Sequence, residues 1–103
     1  MKVYLDDART PPEGWVLTKT PKETIELLKT GKVTDLSLDH DLGGDDTTGT
    51  GYDVVQWIEK QVFLKKLLVV PNITVHSANI SARKKMELGI KSIGRFSKLP
   101  YIF

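Results

Sequence analysis

The chain has 103 residues, a net charge of +2 and no cysteine, which suits one domain spanning residues 1–103 and excludes a disulfide framework or a thiolate metal site. A single core is feasible at this size without such staples. The opening "MKVYLDDART" carries acids where a secretory leader has its apolar core, and the apolar run around "LLVV" is far too short to span a bilayer; a cytoplasmic protein with no membrane partner is expected.

Charge is unevenly spread. Of the 13 acidic residues 12 precede Lys60, and nine of the 15 basic residues lie from Lys60 onward. Such asymmetry can mark a surface for a polyanion. The basic residues are not interleaved with aromatic ones, as single-strand binding requires. Solvated helix faces are the simpler reading, and no recognition of DNA sequence is expected.

In chain order, "KVYL" reads as a strand that ends at Asp6 and Asp7. "ARTPPEG" is a loop by its Pro and Gly content, and "WVLTKT" is a second strand. A helix starts at "TPKE", where Thr20 caps, Pro21 suits the first turn and Glu23 completes a capping box. Its apolar stripe is Ile25, Leu28 and Leu27, and Gly31 stops it. "TDLSLDHD" is a third strand with Leu36 and Leu38 on one face. "LGGDDTTGTG" is a loop. Val54, Val55, Ile58 and Val62 then recur at helical spacing. "ITVH" is a fourth strand. A third helix follows, capped by Ser81 or Asn79, with Ala82, Met86, Ile90 and Ile93 on one face. The tail "RFSKLPYIF" is a last strand or a docked segment.

Strands alternating with helices predict an α/β domain with a parallel sheet of about four strands. Ligands of such sheets bind beyond the carboxyl ends of the strands. Asp6, Asp7 and Arg9 follow the first strand, Asp39, His40 and Asp41 the third, and His76, Ser77 and Asn79 the fourth. Both histidines and most aspartates therefore fall on one predicted edge. Carboxylates gathered at neighbouring strand ends suit a hard divalent cation that keeps room for phosphate. Two histidines beside carboxylates suit acid–base work near neutral pH. Arg9 can grip a phosphate oxygen, and Ser77 can donate a hydrogen bond to one. The Gly-rich loop up to Gly51 can offer backbone N–H groups, but it lacks the lysine and spacing of a P-loop. Each residue has a structural alternative: Asp6-Asp7 an Asx turn, His76 a core histidine bonded to backbone, Asp45 and Asp46 solvated loop residues, Trp15 and Trp57 packing. Convergence of so many polar groups on one edge favours a site.

At these residues the chain resembles a receiver domain of two-component signalling: Asp6-Asp7 as its acidic pair, Asp39 as its phosphoacceptor and Ser77 as its switch hydroxyl. The resemblance runs from Lys2 to about Ile93. It departs in lacking the first receiver helix, and Lys98 is the one candidate for the receiver lysine. The combination "YLDDAR … LSLDHDLG … GTGYDV … ITVHSAN" is similar to a divergent branch, the cyclic-phosphate processing receiver-like domain. That resemblance implies a three-layer, flavodoxin-like fold with a loop in place of the first helix. It also implies a phosphoesterase acting on cyclic phosphates, with a cyclic-phosphate-bearing nucleotide or RNA end as partner.

The expected roles follow. Asp6, Asp7 and Asp39 hold a divalent metal, Mg²⁺ or Mn²⁺, with a metal-free two-histidine version also open. His40 and His76 are base and acid in an unassigned order. Asp41 orients a histidine, and Asp39 is an alternative nucleophile. Arg9, Ser77, Asn79 and Gly51 bind phosphate or ribose. A non-catalytic binding module and a phosphoacceptor receiver are the alternatives from other classes.

Overall fold

The protein's structure is a computed structural model that describes residues 1–43, 48–67 and 69–97. β1 (Lys2–Leu5), β2 (Trp15–Thr18), β3 (Asp35–Leu38) and β4 (Asn72–Val75) form one sheet in the order β2-β1-β3-β4. All its pairings are parallel. The strands "KVYL", "DLSL" and "NITV" alternate polar and apolar residues, so each turns its apolar set to one face. Val3, Leu5, Leu36 and Leu38 are fully buried there.

Three helices cover that face: α1 (Pro21–Leu28), α2 (Gly51–Phe63) and α3 (Ile80–Ser97). The crossovers β2-α1-β3 and β3-α2-β4 step in the same direction along the sheet, so their right-handedness sets both helices on the same side. α2 packs between α1 and α3. Its Val54, Val55, Ile58 and Val62 join the core with Leu28, Met86 and Ile93. The α/β class and parallel sheet are as expected, with α3 also on the α2 side. No helix among the described residues lies on the opposite face, where β1 passes to β2 through a loop.

Some boundaries differ from expectation for local reasons. β2 stops at Thr18 rather than Thr20. Thr20 is the N-cap, whose Oγ1 accepts from Glu23 N–H at 3.2 Å. α1 buries Pro21, Thr24 and Leu28, with Ile25 only half-buried. Thr24 takes the inward place because its hydroxyl meets Thr18 Oγ1 at 2.7 Å and donates to Thr20 O at 3.0 Å. β3 ends at Leu38; Asp39 Oδ1 then accepts the His40 N–H at 2.8 Å and turns the chain aside. The cap of α3 is Asn79, whose Oδ1 accepts from Ala82 N–H at 3.1 Å, not Ser81. Lys98, Asp45, Asp46 and the tail from 98 to 103 lie outside the described residues. No helix among those described is long and apolar enough to cross a membrane.

α2 begins directly against the end of β3. A Cβ on Gly51 would stand 1.8 Å from the carbonyl oxygen of Asp39, so only glycine permits this approach. Gly51→Ala is expected to lower stability by at least about 1–3 kcal/mol, because backbone cannot yield as a side chain does. Urea unfolding of the two proteins measures it.

Candidate functional site

The site is assembled by strand register. Leu5 is level with Leu38, and Leu38 with Val75. The next residue of each strand is Asp6, Asp39 or His76. The ladder carries on through them: Asp39 N–H donates to Leu5 O at 3.0 Å, and His76 N–H to Leu38 O at 2.9 Å. Three chemically active side chains thus emerge side by side at the carboxyl edge. One oxygen of Asp6, one of Asp39 and one ring nitrogen of His76 all lie within 4.8 Å of one another.

Asp6 is 1% exposed, so its charge requires partners. Oδ1 accepts the N–H groups of Ala8 at 2.8 Å and Arg9 at 2.9 Å. Oδ2 pairs with His76 Nε2 at 3.0 Å, and Arg9 Nε stands 3.9 Å from it. Burial alone would push the Asp6 carboxyl up. The N–H groups of Arg9 and Ala8, with His76, outweigh it and hold the pKa below its ordinary value of 3.8. The Asx turn weighed from the sequence is therefore present, and it presents Oδ2 to the site.

His76 is held on three sides. Nε2 faces Asp6, Nδ1 meets Ser37 Oγ at 2.7 Å, and the ring stacks on Tyr4 with centroids 4.2 Å apart and planes at 6°. Its carbonyl accepts from Arg9 Nη1 at 3.0 Å, which ties the loop after β1 to the end of β4. Ser37 and Tyr4 are level on the face away from the helices. Neither was expected at the site. The polar alternation of β3 and β1 is the signal that puts them beneath a side chain at position 76.

The second histidine has a different setting. His40 Nδ1 pairs with Asp41 Oδ1 at 2.7 Å. The bond from His40 is the chief cause that holds the Asp41 carboxyl below its ordinary range; slight burial opposes it and a bond from Asn79 adds to it. Asn79 Nδ2 reaches Asp41 Oδ2 at 3.5 Å, and Asn79 N–H donates to Ser77 Oγ at 3.1 Å. Asn79 thereby links the loops after β3 and β4. Ser77 is buried.

Asp7 turns elsewhere. Its carboxylate lies against Gly43, where a Cβ would stand 2.6 Å from Oδ2. Among the described residues the group with metal-ligand spacing is Asp6, Asp39 and His76; Asp7, expected among the ligands, is not one of the three. Gly51 N–H donates to His40 O at 3.3 Å, an internal bond of the loop.

Two carboxylates and an imidazole within 4.8 Å suit a divalent ion that accepts mixed oxygen and nitrogen ligands. Ligands about 2.0–2.1 Å from Mg²⁺ stand no more than about 4.2 Å apart, so the group would draw in slightly on an ion, and the imidazole moves the preference toward a transition ion such as Mn²⁺.

Among families of known proteins, the one described as the cyclic-phosphate processing receiver domain matches residues 1–92. No curated protein and no solved structure matches the chain.

The Asp6 carboxylate gives an acid-stability prediction. Its folded pKa is depressed, so its contribution is complete above 3.8 and is lost as pH falls through the lower folded value. In EDTA, urea midpoints of the wild type should fall over this range. Asp6→Asn should have a lower plateau and a flatter acid limb; an equally steep limb would show that the linkage lies elsewhere.

Proposed function

The chain belongs to the cyclic-phosphate processing receiver domain family, and from that footing we propose that it is a phosphoesterase that opens cyclic phosphodiesters. The observation that carries the reading is the carboxylate-bound His40, paired with Asp41 at 2.7 Å, directly after Asp39 of the Asp6, Asp39 and His76 group, whose ligand atoms lie within 4.8 Å of one another. Opening a cyclic phosphate requires a base for water and an acid for the departing ribose oxygen.

The two histidines are not equivalent. Both ring nitrogens of His76 have partners, Asp6 and Ser37. Asp6 and the Ser37 hydroxyl can each accept from it, so it can stay protonated between them, and neither ring nitrogen is left free to take a proton from water. His40 spends Nδ1 on Asp41, which holds the neutral tautomer with Nδ1 protonated and leaves Nε2 as the acceptor. His40 Nε2 is thus the base that takes the proton from the attacking water. The departing oxygen leaves on the opposite side of phosphorus from that water and takes its proton from solvent. Asp41 fixes the tautomer and stabilises the imidazolium, as carboxylates behind catalytic histidines do.

His76 orients Asp6 and, with Asp6 and Asp39, would hold a divalent ion. In that state Nδ1 carries the proton and donates to Ser37, so the ring faces the ion through Nε2. When bound, the ion would supply charge neutralisation at the phosphoryl oxygens. Arg9 uses Nη1 on the His76 carbonyl, and the fork leaves further N–H groups for a phosphate oxygen. Ser77 and Asn79 are tied to each other and to Asp41. Their part is to position His40 before any contact with ribose.

The test is turnover of a panel of cyclic phosphates with Mn²⁺, Mg²⁺ or EDTA, followed by chromatography. Metal-dependent ring opening is expected, with kcat reduced about 10²–10⁴-fold in His40→Ala. His76→Ala should raise the metal concentration needed as well as lower the rate. Tight binding of a cyclic phosphate with no turnover would overturn the proposal in favour of a sequestering module. A stable acyl phosphate at Asp39 after treatment with a small phosphodonor would overturn it in favour of a signalling receiver.

A further inference from the structure

The face of the sheet away from the helices carries aromatic rings that lead out of the site. His76 stacks on Tyr4, and Tyr4 meets Trp15 edge to face at 6.2 Å and 82°. Register fixes their direction. Tyr4 is level with Leu17, and Trp15 with Lys2, two positions nearer the amino end of the sheet. The rings therefore run from the carboxyl edge, where Asp6 and Asp39 stand, down β1 and β2. Tyr4 and Trp15 are half-buried, in keeping with rings that present part of their surface. Lys2 Nζ lies 5.8 Å from the Trp15 ring and puts a cation beside it. Of the acids on this face, Asp35 is engaged by Thr34 Oγ1 at 2.9 Å and Asn72 Nδ2 at 3.5 Å, while Asp6 and Asp39 stand with His76 at its carboxyl edge.

A core does not need this arrangement. The hydrophobic core lies on the helix side, and packing rings on the other face gain little from burial where no helix among the described residues covers them. Rings beside a cation on an open sheet are the means by which proteins stack unpaired bases, since every base offers a π-face and every link a negative charge. A cyclic phosphate held at the strand ends would direct its nucleoside along this row.

Resting on the phosphoesterase reading, we infer that the substrate is the end of a single-stranded polynucleotide, its cyclic phosphate beside His76 and a base upstream of it stacked on Trp15. Trp15 is then a residue of substrate selection, distant from the reacting atoms. The aromatics absent among the basic residues of the sequence are supplied by another part of the chain.

Fluorescence tests this without relying on turnover. In a Trp57→Phe protein, Trp15 is the sole tryptophan, the chain having two. It should be open to acrylamide in the free protein. A short oligoribonucleotide ending in a 2′,3′-cyclic phosphate should quench it, and glycerol 1,2-cyclic phosphate should not. Trp15→Leu, with folding checked by circular dichroism, should weaken oligonucleotide binding about ten-fold, within the range for one stacked base. Trp15→Phe should recover most of the loss. A Trp15 shielded in the free protein, by a second copy or another part of the chain, would overturn the inference. So would an oligonucleotide-to-glycerol-ester affinity ratio that Trp15→Leu leaves unmoved. Turnover with that ratio unmoved would sink the stacking platform alone. Quenching without turnover would sink the phosphoesterase reading alone.

Discussion

The site depends on one constraint, the parallel register that brings β1, β3 and β4 to an end at the same level. Neighbouring strands lie about 4.8 Å apart, so the first residue past each strand is already near its neighbour. Asp6 and His76 stand on either side of β3. The imidazole reaches over that strand to the Asp6 carboxylate at 3.0 Å, above Ser37 and against Tyr4. A slip of one residue in β4 would send His76 to the helix side and Val75 to the open one. The burial that fixes the register for the core therefore also fixes it for the chemistry. Asp6 in turn shapes the loop after β1, because its buried charge draws in two backbone N–H groups and the Arg9 side chain.

Much of this was legible in the residues. Short apolar strands followed by Asp6, Asp39 and His76 announced both the sheet and the edge on which these side chains gather, and helical periodicity in α2 and α3 marked the inner residues Val54, Ile58 and Met86. What was not legible depended on side-chain direction. Nothing local distinguishes Asp6 from Asp7. Register and the alternation of the strand turn the first into the site and the second toward Gly43. Ser37, between two leucines, looks like an ordinary polar position until His76 is known to lie above it. Thr24 looks out of place on an inner helix face until Thr18 is found to meet it. Which ring nitrogens already have partners, Asp6 and Ser37 for His76 and Asp41 for His40, also needed coordinates.

Parallel sheets generally have both faces covered. Here, among the described residues, helices lie on one side alone. The strands reflect this, with Lys2, Asp35, Ser37, Asn72 and Thr74 on the other side. Tyr4 braces His76; Trp15 extends the row.

Asn79 carries a consequence of another kind. One amide closes the first turn of α3 through Oδ1 and holds Asp41 through Nδ2. A mutational survey scored by activity alone would count it as a site residue, and one scored by stability alone would count it as a helix cap. Each survey would detect half of what the side chain does. A substitution here meets two requirements at once: a serine or aspartate that keeps the cap offers no amide N–H to Asp41. The position has less freedom to drift than either role on its own would impose.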